Sequence, residues 1–217
     1  MTNWIFDLDG TLVDSFGHYF TSLEEVFSLH DKTFTPDLQH AALTDNLKDF
    51  FTLHLGEKAL DPALLLLRSR SNHDATKIQA FPGIIDSLKN LRSSGAKIGV
   101  WTNRDYESAN LILKHSGLEN HVDAFVSGTC TKERKPYPEG LLRIANEFKS
   151  LPSEITMVGD HDHDVMAAKT AGARAIKASW HSYWEVKKCL IADHQFHELD
   201  LFHSFTRERQ VPNNKSY

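Results

Sequence analysis

The chain has little cysteine: Cys130 and Cys189 are its only two. That is too few for a disulfide framework, and their context offers no metal-site spacing, so both read as reduced thiols. No basic tract interrupts a net charge of −5, the balance of 24 Lys and Arg against 29 Asp and Glu. Nucleic acid and anionic lipid are therefore not expected partners. The N-terminus, Met-Thr-Asn-Trp-Ile-Phe-Asp, lacks the basic n-region and apolar h-region of a secretion signal. The longest apolar run, Ala63 to Leu67, is far below the ~20 residues of a membrane span. No internal repeat or low-complexity segment occurs. These absences predict a soluble, cytoplasmic protein without a membrane partner.

What is present fits that class. Hydrophobic residues at 41% and charged residues at 24% are a globular mix, and 217 residues suffice for one core domain with a modest insertion. Trp4 to Leu8 is a short apolar stretch running into Asp9-Gly10, a buried strand ending in a turn. From Phe16 to about Gln79 no strand pattern occurs. Apolar residues there recur at helical spacing: Phe20, Leu23, Val26, Phe27, then Leu43, Leu47, Phe50, Phe51, then Leu60, Leu64, Leu67. Thr35-Pro36-Asp37 and Asp61-Pro62 are helix openings.

Beyond Phe81-Pro82-Gly83 strands and helices alternate, with strands expected at Lys97–Trp101, Ala124–Val126, Ile155–Val158 and Ala173–Lys177. Five short apolar strands separated by helices predict an α/β fold, a mostly parallel, doubly wound, Rossmann-like sheet. Residues 1–15 and 80–217 would form this catalytic core, and residues 16–79 an all-helical insertion. The segment from Thr206 to Tyr217 is polar and reads as a frayed tail.

In such a sheet ligands sit at the carboxyl ends of the strands. Those places hold Asp7-Leu8-Asp9-Gly10-Thr11, Thr102-Asn103, Lys135-Pro136 and Gly159-Asp160, with Asp164 four residues further on. Carboxylates, a hydroxyl and an ammonium on one sheet edge suit phosphoryl transfer. A carboxylate such as Asp7 can attack phosphorus and split one hard displacement into two easier ones. Clustered acidic oxygens select a hard cation, which favours Mg²⁺. Lys135 would neutralise the transferring oxygens, and Thr102 with the Asn103 backbone N–H would hydrogen-bond them. Asp9, projecting to the same side as Asp7, is left free by the turn at Gly10 to protonate a leaving alcohol and then deprotonate water.

The motifs Asp7-Leu-Asp9-Gly10-Thr11-Leu12-Val13-Asp14-Ser15, Thr102, Lys135-Pro136 and Gly159-Asp160-x-x-x-Asp164, with Ala167-Ala168-x-x-Ala171-Gly172 downstream, resemble those of the haloacid dehalogenase superfamily, in the same order. The insertion resembles the helical cap of the subgroup holding phosphoglycolate phosphatases and β-phosphoglucomutases. The resemblance implies that Asp7, the backbone carbonyl of Asp9 and Asp160 hold Mg²⁺, with Asp164 binding through water or orienting the shell. It implies a Mg²⁺-dependent phosphomonoester hydrolase that passes through an aspartyl-phosphate and acts on a small phosphorylated metabolite.

Dehalogenases resemble Asp-x-Tyr or Asp-x-Phe and phosphonate hydrolases carry Ala at the position of Asp9, which excludes both. A phosphosugar mutase is the alternative within the fold; such enzymes place a histidine where Tyr19 stands, whereas His18 sits one position early. A binding or regulatory module on the same fold is the alternative of another class, and it would be signalled by loss of Asp7, Asp9, Lys135 or Asp160, all of which are present. Neither the substrate nor the oligomeric state is readable.

Each residue also has an ordinary reading. Asp-Gly marks turns, Asp160 could cap a helix, and Lys135 could be solvated. His161 and His163 are expected to border the site rather than to form a metal site of their own. Trp180, His181, Tyr183 and Trp184 could wall the pocket, but core packing is the favoured reading. Lys48, His54, Lys58, Arg68 and Arg70 are candidate substrate contacts from the insertion.

Overall fold

The computed structural model describes residues 2–183 and 188–208. The chain opens with β1 (Asn3–Phe6), buried throughout, and reaches the two-residue β2 (Val13–Asp14) by a tight loop. Four helices follow: α1 (Phe16–Ser28), α2 (Pro36–Thr44), α3 (Leu47–Leu55) and α4 (Leu60–Asp74). β3 (Gln79–Ala80) then returns the chain and pairs antiparallel with β2. From there come α5 (Ile84–Ser93), β4 (Ile98–Trp101), α6 (Tyr106–His115), β5 (Ala124–Val126) and α7 (Glu139–Phe148). The chain continues through β6 (Ile155–Gly159), α8 (Asp162–Ala171), β7 (Arg174–Ala178), β8 (His194–Phe196) and α9 (Leu199–Glu208).

The main sheet has the order β5-β4-β1-β6-β7-β8, and all its pairings are parallel. Side chains alternate between its faces, as the pleat requires. Trp4, Phe6 and Val158 pack with Leu88, Ile112 and Phe202 on one face. Ile5, Trp101 and Met157 pack with Leu141, Ile144 and Val165 on the other. Helices thus cover both faces, the condition for strands that read as continuous apolar runs. Strand order runs outward in both directions from β1, so the switch-point crevice lies at its carboxyl end.

Helices α1–α4 enclose a separate apolar cluster built on Phe20, Leu23, Val26, Phe27, Phe50 and Phe51. The helical spacing of these residues in the sequence is realised as one buried stripe per helix. Thr35-Pro36 opens α2 with proline at N1, where its missing N–H costs nothing.

Three features differ from the sequence reading. The sheet has a sixth strand, β8, whose residues His194, Gln195 and Phe196 are too short and polar a run to stand out. Helix α9 runs through Thr206 to Glu208, with Phe202 and Thr206 buried against the core, so the polar segment begins later than expected. The rest of that segment, residues 209–217, lies outside the described residues, as does Trp184. The β2–β3 ladder falls on residues for which no strand was expected. No helix among the described residues is long and apolar enough to cross a membrane.

His181 and Tyr183 act as a seam, with Trp180 on its core side. The Trp180 ring lies 5.4 Å from Phe202, and its indole N–H donates to the Thr11 carbonyl. The His181 ring sits 4.3 Å from Phe16, with Nε2 at 3.2 Å from Asp14 Oδ1, and Tyr183 packs edge-on at 4.8 Å against Phe20. Trp180 thus packs within the core, while His181 and Tyr183 join the core to α1, and none of the three walls the active-site cavity.

Candidate active site

The backbone after β1 keeps its ladder for one more bond, Asp7 N–H donating to the Val158 carbonyl at 2.8 Å, and this fixes the Asp7 side chain. Gly10 then turns the chain with φ +73°, a left-handed conformation suited to glycine. A Cβ there would fall 2.3 Å from Asp160 Oδ2, so the turn lies directly against the carboxylate after β6. Gly159 is held equally close, to Asp164: a Cβ would lie 2.2 Å from the Asp164 Cγ. Asp164 stands in the first turn of α8, where its Oδ2 accepts the His161 N–H at 3.0 Å. Negative charge is favoured at that helix end.

Carboxylate oxygens of Asp7, Asp160 and Asp164, all buried, lie within 4.8 Å of one another. Lys135 Nζ reaches Asp7 Oδ1 at 2.5 Å and Asp164 Oδ1 at 2.7 Å. Its position is set by its backbone N–H, which donates to Asn103 Oδ1, and its ammonium lies 5.0 Å from the Trp101 ring centroid. Thr102 follows β4, its backbone N–H on the Val126 carbonyl and its hydroxyl accepting the Arg104 N–H.

One lysine facing three carboxylates leaves a buried excess of negative charge. Burial, with the Asp164 and Asp9 charges adding to it, pushes the Asp7 carboxyl up to about 7 against the opposing pull of Lys135. Lys135 itself is held above the usual lysine range, because Asp164 and Asp7 outweigh its burial. Asp164 Oδ1 is buried with no aligned hydrogen-bond donor, although Lys135 is its ion-pair partner. An all-oxygen donor set with surplus negative charge fits a hard divalent cation. The histidines are not part of this set. Asp9 contributes no side-chain oxygen to it, which leaves only its backbone carbonyl for a metal.

The Asp9 side chain departs from the sequence reading. It is not free at the turn: Ser15 Oγ donates to Oδ1 at 2.6 Å, and Arg104 grips both oxygens through Nε at 3.0 Å and Nη2 at 2.6 Å. Burial opposes its ionisation, but the Arg104 charge and the hydrogen bonds from Arg104 and Ser15 hold its carboxyl below the usual range. Arg104 is the functional residue the sequence reading missed. The available signal was a cation directly after Thr102-Asn103, on the ligand edge of the sheet.

These groups open onto a cavity of about 660 Å³ whose far wall comes from α1, α2, α3 and α4. His161 and His163 border it as expected; burial first, then the neighbouring His163 charge, lowers His161 to about 4. Of the cations in the insertion, Lys48 and Arg68 line the cavity. The candidates His54, Lys58 and Arg70 do not: His54 packs at a tilt on Phe50 and Arg70 pairs with Glu25.

A doubly wound parallel sheet with an acidic, lysine-bearing ligand edge under a helical insertion defines the class of capped α/β enzymes. Within that class the chain belongs to the haloacid dehalogenase-like hydrolases, whose family model matches residues 4–178. It is similar to the pyrophosphatase PpaX of Anoxybacillus flavithermus, 26% identical over 179 residues that cover 81% of this chain and 82% of the relative. Among solved structures it resembles the haloacid dehalogenase-like hydrolase SP0104 of Streptococcus pneumoniae, with TM-score 0.82 and 23% identity over 94% of this chain and 98% of that one. CbbY of Rhodobacter sphaeroides, in complex with phosphate, gives TM-score 0.80 and 21% identity over 94% and 96% of the two chains. At these identities the structural likeness speaks for the fold.

Proposed function

We propose that the protein is a Mg²⁺-dependent phosphatase for a small phosphorylated metabolite, with Asp7 as nucleophile. The observation that carries the reading is the pairing of buried Asp7 with Lys135 beside Asp160 and Asp164, at the carboxyl end of the central strand. An Asp7 oxygen forms a bond to phosphorus as the bond to the leaving oxygen breaks, and Asp9, once it has left the Arg104 and Ser15 donors and taken up a proton, gives that oxygen its proton. Asp9, now a carboxylate, takes a proton from water, whose oxygen bonds to phosphorus and releases phosphate and free Asp7. Lys135 offsets charge on the transferring oxygens, and Thr102 with the Asn103 backbone N–H hydrogen-bonds them. Asp7, Asp160 and the Asp9 backbone carbonyl would hold Mg²⁺, with Asp164 binding through water or orienting its shell, and the ion would supply charge neutralisation between nucleophile and phosphate.

Residues 16–79 act in this reading as a cap that selects the leaving group through residues such as Lys48 and Arg68. The PpaX relatives are named for pyrophosphate, so anhydrides belong in the substrate panel beside monoesters. The mutase reading is disfavoured by Tyr19, whose hydroxyl donates to the Ala42 carbonyl within the insertion and is not available as a base. The test is release of inorganic phosphate from a metabolite panel with and without Mg²⁺. Phosphate release from no compound on the panel would remove the reading, and turnover only with a bisphosphate primer would favour the mutase.

A further inference from the structure

Arg104 joins three parts of the molecule. Its backbone is pinned to the core: the N–H donates to Thr102 Oγ1 at 3.1 Å, and the carbonyl accepts the Gly128 N–H at 2.8 Å. Its side chain, only 14% exposed, holds both Asp9 oxygens with Nε and Nη2. The remaining arm, Nη1, donates to Ser71 Oγ of α4 at 2.5 Å. The planar fork thus sits between the Asp-Gly turn and the helical insertion, with a task for each of its three nitrogens. Lysine could not do this, since a single ammonium offers no fork.

The arrangement has a consequence for Asp9. With Ser15 and two guanidinium nitrogens on its oxygens, the carboxylate borders the cavity but is tied to donors through both of its oxygens. We propose that Arg104 is a positioning residue that seats Asp9 between the core and the insertion and delivers it to the leaving group when that group takes over the guanidinium donors. The inference rests on the reading that Asp9 exchanges a proton with the leaving oxygen. Because Ser71 shares the fork, the seating of α4 and the direction of Asp9 are set together. Without the fork, Asp9 stands near the Asp7 charge with the Ser15 hydroxyl as its remaining side-chain hydrogen-bond donor among the described residues.

The test compares an alkyl phosphate, whose leaving oxygen needs a proton, with p-nitrophenyl phosphate, whose leaving oxygen does not. The full chain is assayed with saturating Mg²⁺. Asp9→Asn is the control and should lose ~10²–10⁴ on the alkyl ester and far less on the aryl ester. Arg104→Met should repeat this selectivity at about tenfold or more, in kcat and not in KM, and added guanidinium should restore part of the loss. Arg104→Lys, which keeps charge and volume, should fall between. Ser71→Ala should shift the alkyl-to-aryl ratio the same way by a smaller factor. Equal losses on both esters, a rise in KM alone, or faster alkyl turnover in the Arg104 variants would overturn the inference. If Asp9→Asn itself shows no selectivity, the acid/base reading falls and the inference with it; if only the Arg104 and Ser71 variants lack it, the inference falls alone.

Discussion

Asp7 and Asp9 share one loop but live in opposite electrical surroundings. Asp7 faces two further carboxylates with one lysine among them, while Asp9 is wrapped by donors. If Asp7 is the nucleophile, Asp7→Asn keeps its volume and removes its attack, so kcat should fall at least about 10³-fold with an unchanged melting temperature. Beryllium fluoride should inhibit the wild type and leave the variant's melting curve unmoved. Activity retained by Asp7→Asn sinks the assignment. A second expectation follows from the surplus charge. Burial pushes Asp7 up to about 7 in the metal-free protein, so part of the population carries a proton there near neutral pH. A cation binds the ionised form, so Mg²⁺ affinity should rise with pH across about pH 6–8 and binding should release protons. Calorimetry in two buffers of different ionisation enthalpy reads that release, and Asp7→Asn should abolish it. Affinity independent of pH would mean that Asp7 is not a ligand. Asp7, Asp9, Thr102 and Asp160 were legible in the sequence because each stands just after an apolar run that becomes a strand, and Lys135 and Asp164 because they follow such runs in the order of the motifs. Arg104 was not, because its meaning lies in a contact across 95 positions to Asp9, which no local pattern announces.

At the scale of elements, the site is made of strand ends and the turns that follow them. The turn at Gly10 both reverses the chain and makes room for Asp160. Gly10→Ala would pay twice, in left-handed strain of about 1–2 kcal/mol and in a clash with Asp160 Oδ2 and the Phe16 ring. The expected result is a lowered melting temperature together with a raised Mg²⁺ requirement. A Gly10→Ala protein with normal metal dependence would separate the turn from the metal site. Helices and central strands were readable because their apolar periods are long and regular. The β2–β3 ladder and β8 were not, being two- and three-residue elements whose pairing is decided by the fold around them. The aromatic run after β7 was read as core: Trp180 packs there on Phe202, while His181 and Tyr183 pack across the join between sheet and insertion.

At the scale of the whole molecule, the proposal that residues 16–79 form a cap governing substrate choice has its own physical consequence. The insertion enters and leaves through paired strands, Val13 opposite Ala80 and Asp14 opposite Gln79, so its two ends are already neighbours. A short linker can therefore replace it without pulling on the sheet. Its apolar cluster is separate from the two clusters that flank the sheet, so removing it takes only Ala75 and Ile78 from one of those and leaves the other intact. What it does uncover is the seam, chiefly His181 and Tyr183, and a soluble capless variant needs Tyr183→Ser as well. In such a variant the carboxylates, Lys135 and Thr102 remain on the sheet edge, while Lys48, Arg68 and the Ser71 contact to Arg104 are gone. Hydrolysis of p-nitrophenyl phosphate should survive within about tenfold, since its leaving group needs neither a proton nor recognition. Discrimination among metabolites should collapse, because water then reaches the site throughout the cycle and nothing reads the leaving group. The measurement is kcat/KM for the same panel with and without residues 16–79. An unchanged order of preference would place specificity in the loops of the core and remove the cap proposal.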